Sequence, residues 1–280
     1  MFSMELKRAF SSKGMLIVVL FSILLSVAAL KGSLAMQKEY EAIIIRVGTE
    51  KVEDHTTYYP DTVFERCLTG NTFLPYGGIY YMLFPILAVL PFGTSYARDE
   101  ELNYTRNILT RQKKSRYLLA KYLAAFVSGA AASVMPMLLS LIVTMPYFPC
   151  IPPAMTSFQS GIVDRQIFSE YYFIHPWIYF GLFLVLGLAA GGLLAGSALV
   201  VSCFITKPIA VLFMPFLVYN AVNYALASPA KQAYSLAQII DPKSKATLVT
   251  LPLAVKLIGG GILLSLVCYY AIAQKRERIR

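Results

Sequence analysis

The chain has 280 residues, of which 57% are hydrophobic and 14% are charged, and its mean hydropathy is +0.60. Soluble globular domains carry roughly 25% charged residues. This composition therefore excludes an ordinary soluble protein and indicates an integral membrane protein. The net charge of +10 does not indicate nucleic-acid binding, because the sequence contains no basic soluble domain that could supply such a surface.

The first 13 residues predict a short amphipathic helix. Phe2, Leu6 and Phe10 follow one another at i, i+4 and i+8, while charged residues occupy the other positions of the turn. We interpret residues 1–13 as an interfacial helix on the inner membrane face. Two alternatives remain open: a disordered tip whose cations orient the first span, or a signal peptide cleaved near the small residues at 33–35.

Six apolar runs are long enough to cross a hydrocarbon core of ~30 Å, which takes about 20 helical residues. They are continuously apolar rather than alternating, which favours helices over barrel strands. The predicted fold class is therefore all-α, a polytopic membrane protein with six transmembrane helices in a single domain over 1–280. The predicted spans are 14–35, 78–97, 118–145, 176–203, 207–226 and 253–273.

The distribution of Lys and Arg predicts the orientation, since short loops rich in these residues remain cytoplasmic. With both termini inside, 15 of the 25 basic residues lie in inner segments. The outer loop 36–77 is acidic and 146–175 is nearly neutral, whereas 227–252 is basic and departs from the rule. We expect a multi-pass protein of the cell membrane with both termini in the cytoplasm.

The outer segment 227–252 is too long for a tight turn and unusually apolar for a loop. It predicts a re-entrant outer hairpin of one or two short helices between helices 5 and 6. Backbone that is not part of a span is tolerated at membrane depth only where protein covers it.

No pattern for catalysis or for cofactor or metal binding is present. The two histidines are isolated, and the sequence has no Cys-x-x-Cys, no His-Glu-x-x-His and no glycine-rich phosphate loop. We therefore predict no catalytic, cofactor-binding or metal-binding residues, and a chain that is not itself an enzyme. Cys67 and Cys150 fall in outer segments, and the sequence leaves open whether they pair.

The fourth predicted span contains two overlapping Gly-x-x-x-Gly spacings, which allow two helix backbones to approach closely in lipid. The partner can be a neighbouring helix of the same chain or a second subunit, and the sequence favours neither. The candidate helix-packing residues are Gly187, Gly191, Gly192 and Gly196.

Residues 97–121 form a strongly polar segment between two apolar runs, with seven Lys/Arg and three Asp/Glu. The segment, together with the six-helix architecture, resembles the permease (transmembrane) subunits of ATP-binding-cassette exporters of type 2. The architecture is similar over nearly the whole chain and the local motif over about 25 residues, although Asn103 and Tyr104 replace a glycine common in the family. The residues that carry the local resemblance are Glu100, Glu101, Leu109, Thr110, Ser115, Arg116 and Lys121.

The resemblance implies that residues 97–117 form a cytoplasmic coupling helix between helices 2 and 3, which docks on separate nucleotide-binding ATPase subunits. ATP and Mg would bind in that partner, and a second permease subunit, identical or related, would complete the assembly. Arginines suit forked ion pairs with acidic groups, and apolar side chains suit anchoring. A charge cluster that only fixes topology is the alternative. The candidate ATPase-docking residues are Glu100, Glu101, Leu102, Arg106, Ile108, Leu109, Arg111 and Arg116.

The function implied is that of a permease subunit of an ATP-driven exporter, which moves an amphipathic or apolar substrate such as a peptide, a drug or a lipid-like molecule out of the cell. An ion-coupled secondary transporter is one alternative, but it would place carboxylates near the membrane midplane, and the centres of the predicted spans contain none. A non-transporting membrane scaffold or sensor is the other.

Overall fold

The computed structural model is helical, with 78% of the described residues in helices and no strand among them, which confirms the all-α class. Its helices connect through turns and short extended segments. The structure describes residues 1–47, 60–102, 114–154, 167–229, 231–244 and 249–276.

The described residues contain eleven α-helices and one short 3-10 turn, Gln232–Tyr234. In chain order the helices are α1 Phe2–Phe10, α2 Lys13–Val47, α3 Val63–Arg66, α4 Tyr76–Val89, α5 Ser95–Glu101, α6 Lys114–Thr144, α7 Ser169–Ile174, α8 Pro176–Ser202, α9 Pro208–Ala225, α10 Leu236–Ile240 and α11 Leu251–Arg276.

Five of these helices, α2, α6, α8, α9 and α11, are long and apolar enough to cross a membrane. The second predicted span, 78–97, differs from the structure. Its helix α4 has 14 residues, or about 21 Å at 1.5 Å per residue, and the chain turns at 90–94 before α5 begins. Pro91 cannot donate a backbone hydrogen bond, so the regular helix ends there.

Helix α2 continues past the predicted end of the first span at residue 35 and reaches Val47. The extension enters the segment 36–77, which the hydropathy pattern predicts as an outer loop. Residues 35–42 are mostly strong helix formers, and the Gln37 side chain donates a hydrogen bond to Glu41 at 3.1 Å, one turn along. Helix propensity therefore extends α2 where hydropathy alone would end it.

Helices α6 and α8 form the centre of the fold. In each of them 56% of the apolar window is buried, against 17% in α9 and α11. Helix α4 packs on both of them, and its Tyr80 hydroxyl donates a hydrogen bond to the Ser133 carbonyl of α6 at 2.9 Å. The two peripheral helices consequently expose most of their apolar surface.

The glycines of α8 meet α6 of the same chain. A β-carbon at Gly191 would lie 2.0 Å from the Ser133 hydroxyl, and the neighbouring glycines face Val134, Phe126 and Tyr122 of α6. The approach is reciprocal, because a β-carbon at Gly129 of α6 would lie 2.4 Å from that of Ala195 on α8. The positions that face α6 are Gly187, Gly191, Gly192 and Gly196.

The two ends of the bundle carry different short elements. One end, which we call the α1 end, consists of α1, α5, the start of α6 and the end of α11. The other, the α3 end, consists of α3, α7, the 3-10 turn and α10. Within the segment 227–252 the structure contains these last two short helical elements, and Ala237, Ile239 and Ile240 of α10 are buried.

Candidate functional site: the Asp99 cluster at the α1 end

The predicted docking residues fall around the α5–α6 connection. Glu100 is partly exposed, Glu101 is exposed and Leu102 is 76% exposed, so the end of α5 presents acidic and apolar groups at the surface. Arg116 is exposed in the first turn of α6. The other four candidates, Arg106, Ile108, Leu109 and Arg111, lie outside the described residues.

Directly beside this exposed surface, Asp99 is buried and makes contacts with two other helices. Its carboxylate accepts a hydrogen bond from Arg8 of α1 at 2.9 Å and one from the Tyr117 hydroxyl of α6 at 3.2 Å. It also pairs with the ammonium group of Lys121, which is fully buried in α6. One carboxylate therefore joins α1, α5 and α6.

The charges of this Asp99 cluster balance within it. Arg8 also pairs with Glu5, one helical turn earlier in α1, at 3.1 Å, so two carboxylates face two cations. Burial alone would raise the pKa of Asp99, but the charges of Lys121 and Arg8 and their hydrogen bonds outweigh it and hold the pKa below its usual value. The carboxylate is accordingly charged at neutral pH.

Phe92, in the turn between α4 and α5, lies beneath both cations. Its ring centroid is 5.9 Å from the Arg8 guanidinium and 5.5 Å from the Lys121 ammonium. Cation–π attraction strengthens when water is excluded. The turn at 90–94, which interrupts the predicted second span, therefore also contributes the aromatic ring of Phe92 to the Asp99 cluster.

The face of α1 that packs against the neighbouring helices is not its apolar stripe of Phe2, Leu6 and Phe10. Glu5 and Ala9 are buried against neighbouring helices, whereas Phe2 and Phe10 are 41% and 43% exposed. An interfacial helix would direct such a stripe toward lipid. The polar face that a surface helix normally turns to water is here held by Asp99.

Close packing and two further hydrogen bonds connect α2, α6 and α11 to their neighbours at the α1 end. A β-carbon at Gly14 would lie 2.2 Å from the Leu90 carbonyl oxygen, so the start of α2 touches the turn after α4. The Lys114 ammonium donates a hydrogen bond to the Gln274 carbonyl at 2.9 Å, and Tyr270 contacts Ser115 at 3.1 Å. The start of α6 is thus joined to the end of α11.

Sequence analysis missed the centre of this arrangement. Asp99 lies inside the polar segment 97–121 but was not singled out, and Lys121 was noted only as part of a family resemblance. A usable signal was present, because a lysine followed by an uninterrupted apolar run must find a partner if it is buried. The helical pair Glu5 and Arg8 gave no such signal, because it matches a solvated face.

The opposite, α3 end carries a second set of polar contacts. Arg66 pairs with Asp61, its carbonyl accepts a hydrogen bond from Ser33 of α2 at 2.9 Å, and Asn71 donates one to the same hydroxyl at 3.1 Å. These contacts hold the segment 60–75 against α2 at Ser33. Cys67 is buried and Cys150 is exposed, and both are free thiols.

Comparisons with known proteins add no family to this geometry. No protein-family model, no curated protein and no solved structure matches the chain. A function has to be argued from the residues and their contacts.

Proposed function

We propose that the chain is the permease subunit of an ATP-driven exporter of the type 2 ATP-binding-cassette class, and that the segment 97–117 docks on a separate ATPase. The observation that carries this proposal is the Asp99 cluster. A coupling element has to be exposed on one side and firmly joined to membrane helices on the other. Helix α5 meets both requirements, since Glu101 is exposed two residues after the buried Asp99.

Through the Asp99 cluster, a partner that docks on α5 would also move α1 and α6. A partner that displaces the end of α5 moves Asp99, and the paired charges of Arg8 and Lys121 carry that displacement to α1 and α6. Helix α6 in turn packs along α8 with glycine contacts too close to slip. Packed side chains and ion-paired groups that connect rigid helices in this way can carry coupling between distant sites.

The membrane arrangement follows from the same proposal. We place the α1 end in the cytoplasm, with α4 and the turn at 90–94 together forming the sixth crossing and α5 following it on the cytoplasmic side. The 3-10 turn and α10 then form the re-entrant hairpin on the outer side. Since this chain has no phosphate-cradling motif, ATP and Mg would be held by the partner ATPase.

The cargo route would lie outside the single subunit. The mostly uncovered helices α9 and α11 offer apolar surface. An amphipathic or apolar cargo would therefore pass between this chain and a second permease subunit.

Charge reversal at the exposed end of α5 tests the docking step. The tagged chain is purified in mild detergent from its native membranes, and Mg-dependent ATP hydrolysis of the complex is measured. Glu101→Lys should lower the co-purified ATPase activity, because losing one partner of a charge pair that docking buries costs about 2 to 5 kcal/mol. Glu170→Lys is the control, since Glu170 is an exposed acid of α7 at the other end.

Two results would contradict the proposal. A wild-type chain that purifies without ATP hydrolysis would favour the secondary-transporter or scaffold alternative. Glu101→Lys that retains full hydrolysis would reduce the segment to a topology signal. Thermal stability of each variant is measured alongside, so that misfolding is not mistaken for lost docking.

A further inference from the structure

Helix α11 carries Lys256 on the face that the rest of the chain leaves uncovered. Lys256 is exposed, and Gly260, Leu263, Leu264 and Val267 follow it at intervals of three or four residues, so they share that face. The three apolar side chains are between 62% and 66% exposed. Among the described residues, none forms an ion pair or a side-chain hydrogen bond with Lys256. This stretch of the face is therefore apolar apart from one ammonium group.

Packing against α8 fixes the depth of Lys256 in the bundle. A β-carbon at Gly261 would lie 3.0 Å from the Leu193 side chain of α8. Both helices run from the α3 end to the α1 end. Lys256 precedes Gly261 by five residues, so it lies level with a point one residue from Ala189, the midpoint of α8.

Helix α6 gives the same depth independently. The Tyr122 hydroxyl of α6 lies 2.7 Å from the Ser265 hydroxyl of α11, and the two helices run in opposite directions. Lys256 lies nine residues before Ser265 and is therefore level with Ala131, nine residues after Tyr122. Ala131 is two residues from the midpoint of α6. Both central helices consequently place Lys256 near the middle of the membrane.

At this depth the ammonium group lies far from both edges of the bilayer. In a hydrocarbon core of ~30 Å, about 12 Å or more separates Lys256 from the nearer edge. A lysine side chain, with its four-carbon stem, is too short to span that distance. A charged side chain near the midplane is tolerated where it faces water or an opposite charge rather than lipid.

The described membrane helices do not supply the opposite charge. Helices α4, α6, α8, α9 and α11 contain no Asp or Glu, and Glu39 and Glu41 of α2 lie beyond its apolar run. Asp241 lies next to Pro242, whose carbonyl accepts a hydrogen bond from Tyr179, ten residues from the midpoint of α8 toward the α3 end. The same helices in a second copy of the chain would bring no carboxylate to the depth of Lys256 either.

We propose that Lys256 binds the acidic head group of the cargo, a carboxylate or a phosphate, and that the apolar tail of the same molecule lies along Leu263, Leu264 and Val267. An amphipathic anion brings the opposite charge that the membrane helices lack. A β-carbon at Gly260, one turn from Lys256, would meet nothing within 4 Å, so the backbone there leaves room for a head group. The face from Lys256 to Val267 is about 16 Å long. The identity of this anion as cargo rests on the exporter function proposed above.

Binding of a fluorescent fatty acid tests the site on the purified chain, without an ATPase. The chain is placed in nanodiscs of phosphatidylcholine and titrated with dansylaminoundecanoic acid or with its methyl ester, with empty nanodiscs as the background. The acid should bind more tightly than the ester by about tenfold or more. At least one of dodecanoate and dodecyl phosphate should displace the probe, and the stronger competitor identifies the preferred head group.

Three variants locate the binding at Lys256. Lys256→Met should lower the affinity for the acid to that of the ester. It should still fold, because it replaces a charged side chain with an apolar one on an uncovered membrane face; thermal unfolding checks this. Lys256→Arg keeps the charge and should keep the preference for the acid. Lys275→Met is the matched control, since it removes an exposed lysine at the α1 end of the same helix and should leave that preference unchanged.

Equal affinity of the wild-type chain for acid and ester, or a preference for the acid that survives in Lys256→Met, would overturn the inference. A separate measurement on the complex with the ATPase tests the word cargo: the acid should stimulate ATP hydrolysis in wild type and not in Lys256→Met. Binding through Lys256 that leaves hydrolysis unaffected would show that the anion is not cargo. A chain that binds the acid through Lys256 and purifies without ATP hydrolysis would keep the binding site and contradict the exporter function.

Discussion

Removing either member of the Asp99–Lys121 pair should destabilise the protein, and by unequal amounts. Asp99→Asn leaves the fully buried Lys121 and the half-buried Arg8 facing each other without a carboxylate between them. Breaking a buried pair from one side costs roughly 3 to 5 kcal/mol. Lys121→Met should cost less, about 2 to 3 kcal/mol, because Asp99 keeps its contacts with Arg8 and Tyr117.

The double variant Asp99→Asn/Lys121→Met measures the coupling between the two residues. It removes both buried charges together, so its loss of unfolding free energy should fall below the sum of the single losses by at least 1 kcal/mol. Glu101→Gln on the same helix is the control, since exposed substitutions usually change stability by less than about 0.5 kcal/mol.

Thermal unfolding in detergent, followed by the loss of helical circular dichroism, reports these differences. Each kcal/mol shifts the unfolding temperature by about 2 to 4 °C in chains of comparable size, so Asp99→Asn should unfold roughly 6 to 20 °C below wild type. Additive losses in the double variant, or an Asp99→Asn protein as stable as Glu101→Gln, would refute the claim that the pair joins α5 to α6.

Three further predictions concern acid, packing and thiols. The pKa of Asp99 is lowered in the folded protein. Its contribution to stability is therefore present above the ordinary carboxyl pKa of about 3.9 and is lost as the pH falls through the lowered pKa. When the unfolding temperature is measured at decreasing pH, wild type should lose its stability advantage over Asp99→Asn. Gly129→Ala should lower the free energy of unfolding by about 1 to 3 kcal/mol, because its β-carbon would lie 2.6 Å from a backbone carbonyl oxygen of α4. Gly181→Ala is the control: its β-carbon would meet nothing within 4 Å, so the variant should be neutral or slightly stabilising in the same thermal unfolding measurement. A maleimide should label the exposed Cys150 in the folded protein and reach Cys67 only after denaturation, as read by mass spectrometry; rapid labelling of both would contradict the burial of Cys67.

Hydropathy predicted the long helices well, because burial in lipid demands continuous apolar sequence whatever the tertiary contacts are. Hydropathy did not predict where α2 and α4 end, because individual residues determine those helix ends. Gln37 and its helix-forming neighbours extend α2 past the apolar run, and Pro91 ends α4 within one. Both features are visible in the sequence, but they act on the backbone rather than on partition into lipid, so a hydropathy window averages them away.

The sequence indicates that a buried Lys121 needs a partner, but it does not show which residues form the Asp99 cluster. Its members lie on three helices, and Arg8 is separated from Asp99 by 91 positions in the chain. Which side chains meet depends on the rotation and register of packed helices, which sequence spacing within one helix does not determine. The α8 glycines illustrate the same limit, because their spacing predicted a close contact but not that α6 makes it.

The buried position of Lys121 also bears on how the chain enters the bilayer during synthesis. A lone ammonium group at the start of a membrane helix opposes insertion. The carboxylate that neutralises it is encoded only 22 residues earlier, and the second cation of the cluster earlier still. Since synthesis runs from the N-terminus, Asp99 has already left the ribosome when Lys121 emerges, and the two can meet before α8 and α11 are translated. Because Asp99 precedes Lys121 in the chain, its carboxylate is available to neutralise Lys121 while α6 inserts into the bilayer.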